Sequence, residues 1–274
     1  MYTIDGTTRM IRTTKPTSWT ALCLAALVAT TLAPQAQSAD RVAVKPSNTR
    51  AGALKQALKI VDESRTALQS VKDYSATFSK KEVVGKKMIQ QTMQMKLRQR
   101  PFSVYLKFAK PHEGREVIYV DGQNGGKLLA HGTGLQKIVG TLKLKPTSKV
   151  VMKENRYPIT QIGIFKMLET VIGRWERQPN NTRVRFFPKA KMGKKSVRVI
   201  QVVHPKQGQG TPFHMTRLYI DNQTRLPIRV QQYGFPKKSG AQPPLIEEYT
   251  YSNVRTNIGL GSRDFDHENP GYDY

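Results

Sequence analysis

The sequence predicts a mainly β, α+β fold: a curled antiparallel sheet forming an incomplete barrel, with a leading helix and an inserted helix packed on or in its concave side. Three observations predict it. Apolar residues recur at every second position through a long series of runs joined by short turns, only two stretches carry the helical period, and no internal repeat or heptad interrupts the series. Nine or ten strands in that order make a sheet large enough to curl, and a curled sheet has an inside.

The leading helix begins at Ala51. Leu54, Ala57, Leu58, Val61, Leu68 and Val71 recur at three, four and seven residues with charged residues between them. After Lys72 the period falls to two: Tyr74, Ala76 and Phe78 alternate with Ser75, Thr77 and Ser79. Gly85-Lys86-Lys87 forms a turn, and Ile89, Met93, Met95 and Leu97 mark the next strand, which Arg100-Pro101 ends. Phe102, Val104, Leu106 and Phe108 then alternate with Ser103, Tyr105 and Lys107, the cleanest period-two signal in the chain. These three runs read as a meander. Strands follow at residues 117–120 and 127–130, residues 132–157 carry no clear period, and Ile162, Phe165, Leu168, Ile172 and Trp175 share the face of a helix over residues 159–175. The remaining strands are expected at residues 183–187, 197–204, 215–221, 227–232 and 247–254.

Residues 1–39 stand apart from this pattern. Arg9, Arg12 and Lys15 precede an apolar run from Trp19 to Ala33, and Ala36-Gln37-Ser38-Ala39 supplies small residues at its end. That order of basic, apolar and small segments is what a secretory signal requires, and the run is shorter than the roughly 20 residues that span hydrocarbon. Residues 1–39 are therefore read as a signal peptide, cleaved near Ser38 or Ala39, with Met10 as an alternative start. Residues 40–50 form a flexible mature N-terminus, residues 51–268 a single domain, and residues 269–274 a C-terminal tail. The expected location is periplasmic or extracytoplasmic.

The only cysteine, Cys23, lies in the apolar run, so the mature chain has no internal disulfide or thiolate metal site. The whole chain has 45 Lys and Arg against 19 Asp and Glu. Removing Arg9, Arg12, Lys15 and Asp5 leaves a charge of about +24, a field that attracts anionic partners. In an exported protein those are anionic membrane surfaces or acidic envelope polymers rather than nucleic acid. Arg183-Val184-Arg185-Phe186-Phe187 is the nearest match to a basic, aromatic nucleic-acid platform, and it is short.

No nucleophile elbow, phosphate loop, His-Glu-x-x-His or dinucleotide fingerprint occurs. His112, His131, His204, His214 and His267 show no ligand spacing, and Asp264, Asp266 and Glu268 read as an acidic tail rather than a cation loop. Glu247 and Glu248 are adjacent and face opposite sides of a strand, so they cannot act as a pair. The expectation is a protein without catalysis, metal or cofactor.

The order of elements carries a resemblance. It rests on the helix running into Tyr74-Ser75-Ala76-Thr77-Phe78, on residues 100–108, on Leu218-Tyr219-Ile220-Asp221-Asn222-Gln223-Thr224-Arg225-Leu226-Pro227-Ile228, and on Tyr249-Thr250-Tyr251 followed by Asn257-Ile258-Gly259-Leu260 and Asp264-Phe265. Over residues 52–268 the chain resembles the periplasmic lipoprotein carriers LolA and LolB, and more closely an exported bacterial family known only as a domain of unknown function. The resemblance implies an incomplete barrel whose apolar concave face holds acyl chains. No single residue here aligns with the carrier's cleft arginine, and the positive charge is unlike the carrier's.

The residues themselves lead to a similar expectation. With Phe78, Met93, Met95, Phe102, Val104, Leu106 and Phe108 on its inner face, the sheet offers an apolar ligand-binding groove of adaptable side chains. The expected function is to hold a lipid, lipoprotein acyl group or other amphiphile, with Arg and Lys around the rim meeting an anionic headgroup. The alternative is a basic interaction protein that binds an acidic envelope polymer or membrane surface without a pocket. The signal reading has a direct check: intact-mass analysis of the protein from its host should place the first residue near Ala39 or Asp40, and retention of Met1 or Met10 would overturn it.

Overall fold

The structure is a computed structural model that describes residues 50–134, 140–177, 182–208 and 212–274. The segments read as signal peptide and mature N-terminus lie outside the described residues, apart from Arg50. Helix α1, Arg50–Gln69, enters β1 at Asp73–Val84 after a short turn. Strands β2 (Lys87–Arg98), β3 (Ser103–Lys110), β4 (Glu116–Val120), β5 (Leu128–His131) and β6 (Thr141–Leu144) follow. After them come α2 (Lys149–Met152) and α3 (Ile164–Glu176). The chain ends in β7 (Arg183–Met192), β8 (Lys195–Val203), β9 (Met215–Asp221), β10 (Pro227–Tyr233) and β11 (Leu245–Thr256).

All eleven strands form one antiparallel sheet in the order β6-β5-β4-β3-β2-β1-β11-β10-β9-β8-β7. Two meanders are thus joined by the first and last strands, with Phe78 opposite Tyr251 and Glu82 opposite Glu247. The sheet is not closed into a barrel: β6 and β7 are its edges. Because those edges are successive in sequence, the chain between them crosses the inner face, carrying α2 and α3 with it. Strand β6 falls in the stretch that carried no period, since its four residues are half-buried or exposed. The inserted helix starts at Ile164, later than expected, because residues 159–161 form a separate 3-10 turn.

Helix α3 turns Ile164, Met167, Leu168, Val171, Ile172 and Trp175 into the main core. Helix α1 packs against β7 and α3. Arg65 on α1 holds Glu169 on α3 at 2.8 Å. The start of α3 is the tightest point of the crossing. Its first backbone N–H groups have no helical partner, and its N-cap, Gly163, has no side chain to supply one. Two tyrosines of the central strands do so: Gly163 N donates to Tyr251 Oη at 3.2 Å, and Ile164 N donates to Tyr74 Oη at 3.1 Å. Both rings are buried and meet edge to face at 6.5 Å. Gly163 has a φ of +115°, and a Cβ there would stand 2.8 Å from Leu97 Cδ1, so only glycine fits.

The outer face is covered where period-two logic expects solvent. Tyr105, Ile118, Val120 and Leu129 form a second core with Phe265, against which Leu260, Tyr272 and Tyr274 pack. The Tyr105 and Tyr272 rings stack at 4.0 Å. Lys96 Nζ donates to Asp264 Oδ1 at 2.7 Å and to Tyr272 Oη at 3.1 Å. Residues 269–274, read from sequence as a tail, lie on the sheet, and Asp264 of the acidic cluster is absorbed into this packing.

Removing one capping hydroxyl leaves a buried N–H without an acceptor, a loss of about 1–3 kcal/mol. Tyr74→Phe and Tyr251→Phe should each lower the free energy of urea unfolding by that amount; wild-type stability in both would show that the caps do not hold α3.

Candidate functional site

Between the sheet, the crossing segment and α3 lies a cavity of about 500 Å³. One wall is a product of strand register. Leu106 pairs with Val117, Val117 with Ala130 and Ala130 with Leu142, so an apolar row runs unbroken from β3 to the edge strand β6. Leu128 and Leu144 extend it, and Val150 and Val151 of α2 face it from the crossing segment. Leu142 and Val150 are 44% and 69% exposed, so apolar side chains reach the cavity's rim, beside the exposed Lys153, Gln161 and Thr170 of its lining.

The central strands carry a different wall. Along β1 the inner positions run Phe78, Lys80, Glu82; along β2, Met93 and Gln91; along β11, Tyr251, Tyr249, Glu247; and along β10, Val230 and Gln232. At that end the inner face changes from apolar to charged, and the charges are buried: Lys80 is 5% exposed, Glu82 2% and Glu247 1%. Lys80 Nζ donates to Glu82 Oε1 at 2.7 Å, to the Glu154 carbonyl at 2.9 Å and to Asn155 Oδ1. Glu82 also accepts from the Tyr249 hydroxyl and from Arg156 N. Glu247 accepts from Gln232 Nε2 at 2.9 Å and from the Tyr157 hydroxyl at 3.0 Å. Arg156 Nε stands 2.9 Å from Glu247 Oε2 without hydrogen-bond alignment, so that contact is coulombic.

The network pins residues 154–157 to the sheet. Two carboxylates directly opposite one another on neighbouring strands repel, and here Lys80, Arg156 and Arg174 offset that repulsion. Burial still pushes the Glu247 carboxyl above the ordinary carboxylate range, with Arg174 and Arg156 pulling it back. Burial also lowers the Lys80 ammonium, with Glu82 opposing the shift. All four oxygens of Glu82 and Glu247 are engaged by donors, so the pair acts as a fastening.

Of the seven residues expected on the groove, Phe78, Met93, Leu106 and Phe108 line the cavity. Met95 and Val104, 1% and 0% exposed, belong to the main core away from it. Phe102 precedes β3, packs at the core's margin and holds the Lys166 ammonium 3.6 Å above its ring. Glu247 and Glu248 do face opposite sides, Glu248 receiving Gln231 Nε2 on the outer face. The carboxylate that meets Glu247 comes from β1, which sequence spacing does not show. A signal for the network was nonetheless present: Lys80 and Glu82 continue the inner parity of Tyr74, Ala76 and Phe78. In β7, Phe186 turns into the main core while Arg183 and Arg185 are exposed, so they build no stacking platform.

Among the described residues, no three His, Cys, Asp or Glu side chains come together as metal ligands, and no helix is long and apolar enough to cross a membrane. The fold and cavity define a class: an open antiparallel sheet whose inner face is crossed by helices around an internal space. Residues 71–274 match the family described as "Protein of unknown function (DUF1571)", and the chain belongs to that family. No curated protein matches it. The solved structures that resemble it include the Mycobacterium tuberculosis lipoprotein LppX, at 11% identity over 77% of this chain and 99% of that one, with a TM-score of 0.44. A putative outer membrane lipoprotein-sorting protein domain from Vibrio parahaemolyticus matches at 12% identity over 78% and 97%, with a TM-score of 0.36. A LolA superfamily protein from Nitrosomonas europaea matches at 9% identity over 77% and 97%, with a TM-score of 0.32.

The fastening has its own test. Lys80→Met leaves Glu82 buried without its cation and should cost about 3–5 kcal/mol in chemical denaturation, whereas Lys80→Met combined with Glu82→Leu should recover at least half of that loss. Additive losses in the double variant would show that the two charges are not coupled.

Proposed function

We propose that the protein works outside the cytoplasm, after removal of residues 1–39, and holds the acyl chain of a lipid, lipoprotein or similar amphiphile in its inner-face cavity without catalysis. The observation that carries this reading is the unbroken apolar row from Leu106 to Leu142, which reaches the surface at the exposed Leu142 and Val150. A cavity of about 500 Å³ with one apolar wall and a few convergent polar groups has the size and character of small-ligand sites. Met93 adds a flexible side chain able to follow ligands of different shape. The signal-like segment order of residues 1–39 supports the location.

A second reading rests on a separate observation. The edge strand β7 exposes Arg183, Arg185, Lys189 and Lys191, which suits association with an anionic membrane surface or acidic polymer without any use of the cavity.

One experiment separates the two. Protein purified from its native envelope and extracted with organic solvent should release acyl chains in about equimolar amount. Leu144→Trp, at a half-buried cavity position on the edge strand, should lower uptake of a fluorescent fatty-acyl probe at least tenfold with a melting curve shifted by only a few degrees. Protein free of acyl chains, or full uptake in a stable Leu144→Trp variant, would sink the cavity reading; binding to anionic vesicles retained alongside would favour the surface reading.

A further inference from the structure

Sequence places the cations expected to meet a headgroup on the rim, yet the rim also exposes the apolar side chains of Leu142 and Val150. Lys153 lines the cavity too, but it is exposed, where water weakens its pull. The charged wall lies at the opposite end of the apolar row, over β1, β11 and β10.

Most of that wall is occupied in holding residues 154–157. Lys80 directs its ammonium to Glu82, Glu154 and Asn155. Glu247 is filled by Tyr157, Gln232 and Arg156. Arg115 pairs with Glu154 at 3.1 Å. Arg174 is engaged only in part. It projects from α3 into the cavity lining beside Met167, Thr170 and Val171. Its Nη2 donates to the Tyr157 hydroxyl at 3.2 Å, and its guanidinium lies 4.9 Å from the Phe213 ring centroid. Its Nη1 is buried, 3.8 Å from Glu247 Oε1, and has no hydrogen-bond partner among the described residues.

The charge count agrees with this. Lys80, Arg156 and Arg174 face Glu82 and Glu247, which leaves one positive charge on the wall, and Arg115 balances Glu154. A guanidinium is always ionised and presents its donors in a planar fork that matches a carboxylate or phosphate. A buried donor left without an acceptor is costly, and an incoming anion removes that cost.

We propose that the ligand is an amphiphile with one anionic head, a carboxylate or a phosphate, and that the head enters the cavity to meet Arg174 while an acyl chain lies along Phe78, Met93 and Phe108 toward β6. The inference rests on the acyl-binding reading above and adds the charge and orientation of the ligand. Phe213 and Tyr157 hold the guanidinium from two sides, so its unpaired nitrogen is already placed. An uncharged head of the same size would leave that nitrogen, and the excess charge, unanswered.

The test uses the full mature chain, stripped of lipid, and displacement of a fluorescent acyl probe at pH 8 by three ligands with the same oleoyl or oleyl chain: oleate, oleoyl lysophosphatidic acid and oleyl alcohol. At least one of the two anions should bind ten times or more tighter than the alcohol, and the better anion identifies the head as carboxylate or phosphate. Arg174→Gln should weaken that anion at least tenfold and leave the alcohol within about threefold; Arg174→Lys should restore part of the preference. Equal affinity for all three ligands in the native protein overturns the head assignment and leaves acyl binding standing. No displacement by any of them overturns both. A loss in Arg174→Gln that is equal for anion and alcohol assigns Arg174 a structural role and overturns the proposal; native selectivity and Arg174→Lys decide the matter if Arg174→Gln does not fold.

Discussion

The edge strands β6 and β7 follow one another in the chain, and this single topological constraint organises the rest of the molecule. Their connection must pass over the inner face of an eleven-stranded sheet, where there is little water to satisfy a backbone. It does so by two devices. Helix α3 satisfies most of its backbone internally, and at its buried start the hydroxyls of Tyr74 and Tyr251 take the place of a capping side chain. Further back, where the chain is irregular, Lys80 takes up the Glu154 carbonyl while Glu82 receives Arg156 N. Each device uses β1, and β1 pairs with β11, so closing the two meanders on each other is also what prepares the seats for the crossing.

Buried charge is a poor source of stability, since desolvation cancels most of the attraction. The opposed Glu82 and Glu247 therefore need an explanation other than strength. Their positions supply one: both meet Arg156, and so they fix where the irregular segment rests on the sheet. The arrangement exchanges some stability for definition of the cavity's polar wall.

Much of this architecture was legible in the sequence. The helical period of α1 and the alternation through β1, β2 and β3 place Phe78, Met93, Leu106 and Phe108 on one face, and these four line the cavity. Period two distinguishes two faces, but it does not say which part of a face a helix will cover, and that is why Met95 and Val104 lie in packed core instead. It is equally silent on long-range pairing. Nothing local in Glu247 announces Glu82, and nothing local in Tyr105 announces Tyr272, because both contacts depend on chain returning from far along the sequence. Strand β6 was illegible for another reason: at a sheet edge with four residues, two of them exposed, alternation has too few positions to register.

The place of the cavity follows from lengths. Helix α3 has 13 residues and so is roughly 20 Å long. The inner face from β10 to β6 spans eight strands at about 4.8 Å each, or roughly 34 Å between the outer two measured along the sheet. With its start fixed over β1 and β11 and its side packed on β10, α3 covers the central strands and cannot also cover β3 to β6. What remains for that half is α2, a single turn that contributes Val150 and Val151. One turn of helix is too small to fill the space opposite Leu106, Val117, Ala130 and Leu142. The apolar surface left uncovered is thus set by the position of the tyrosine caps, and the cavity lies where the helical cover ends.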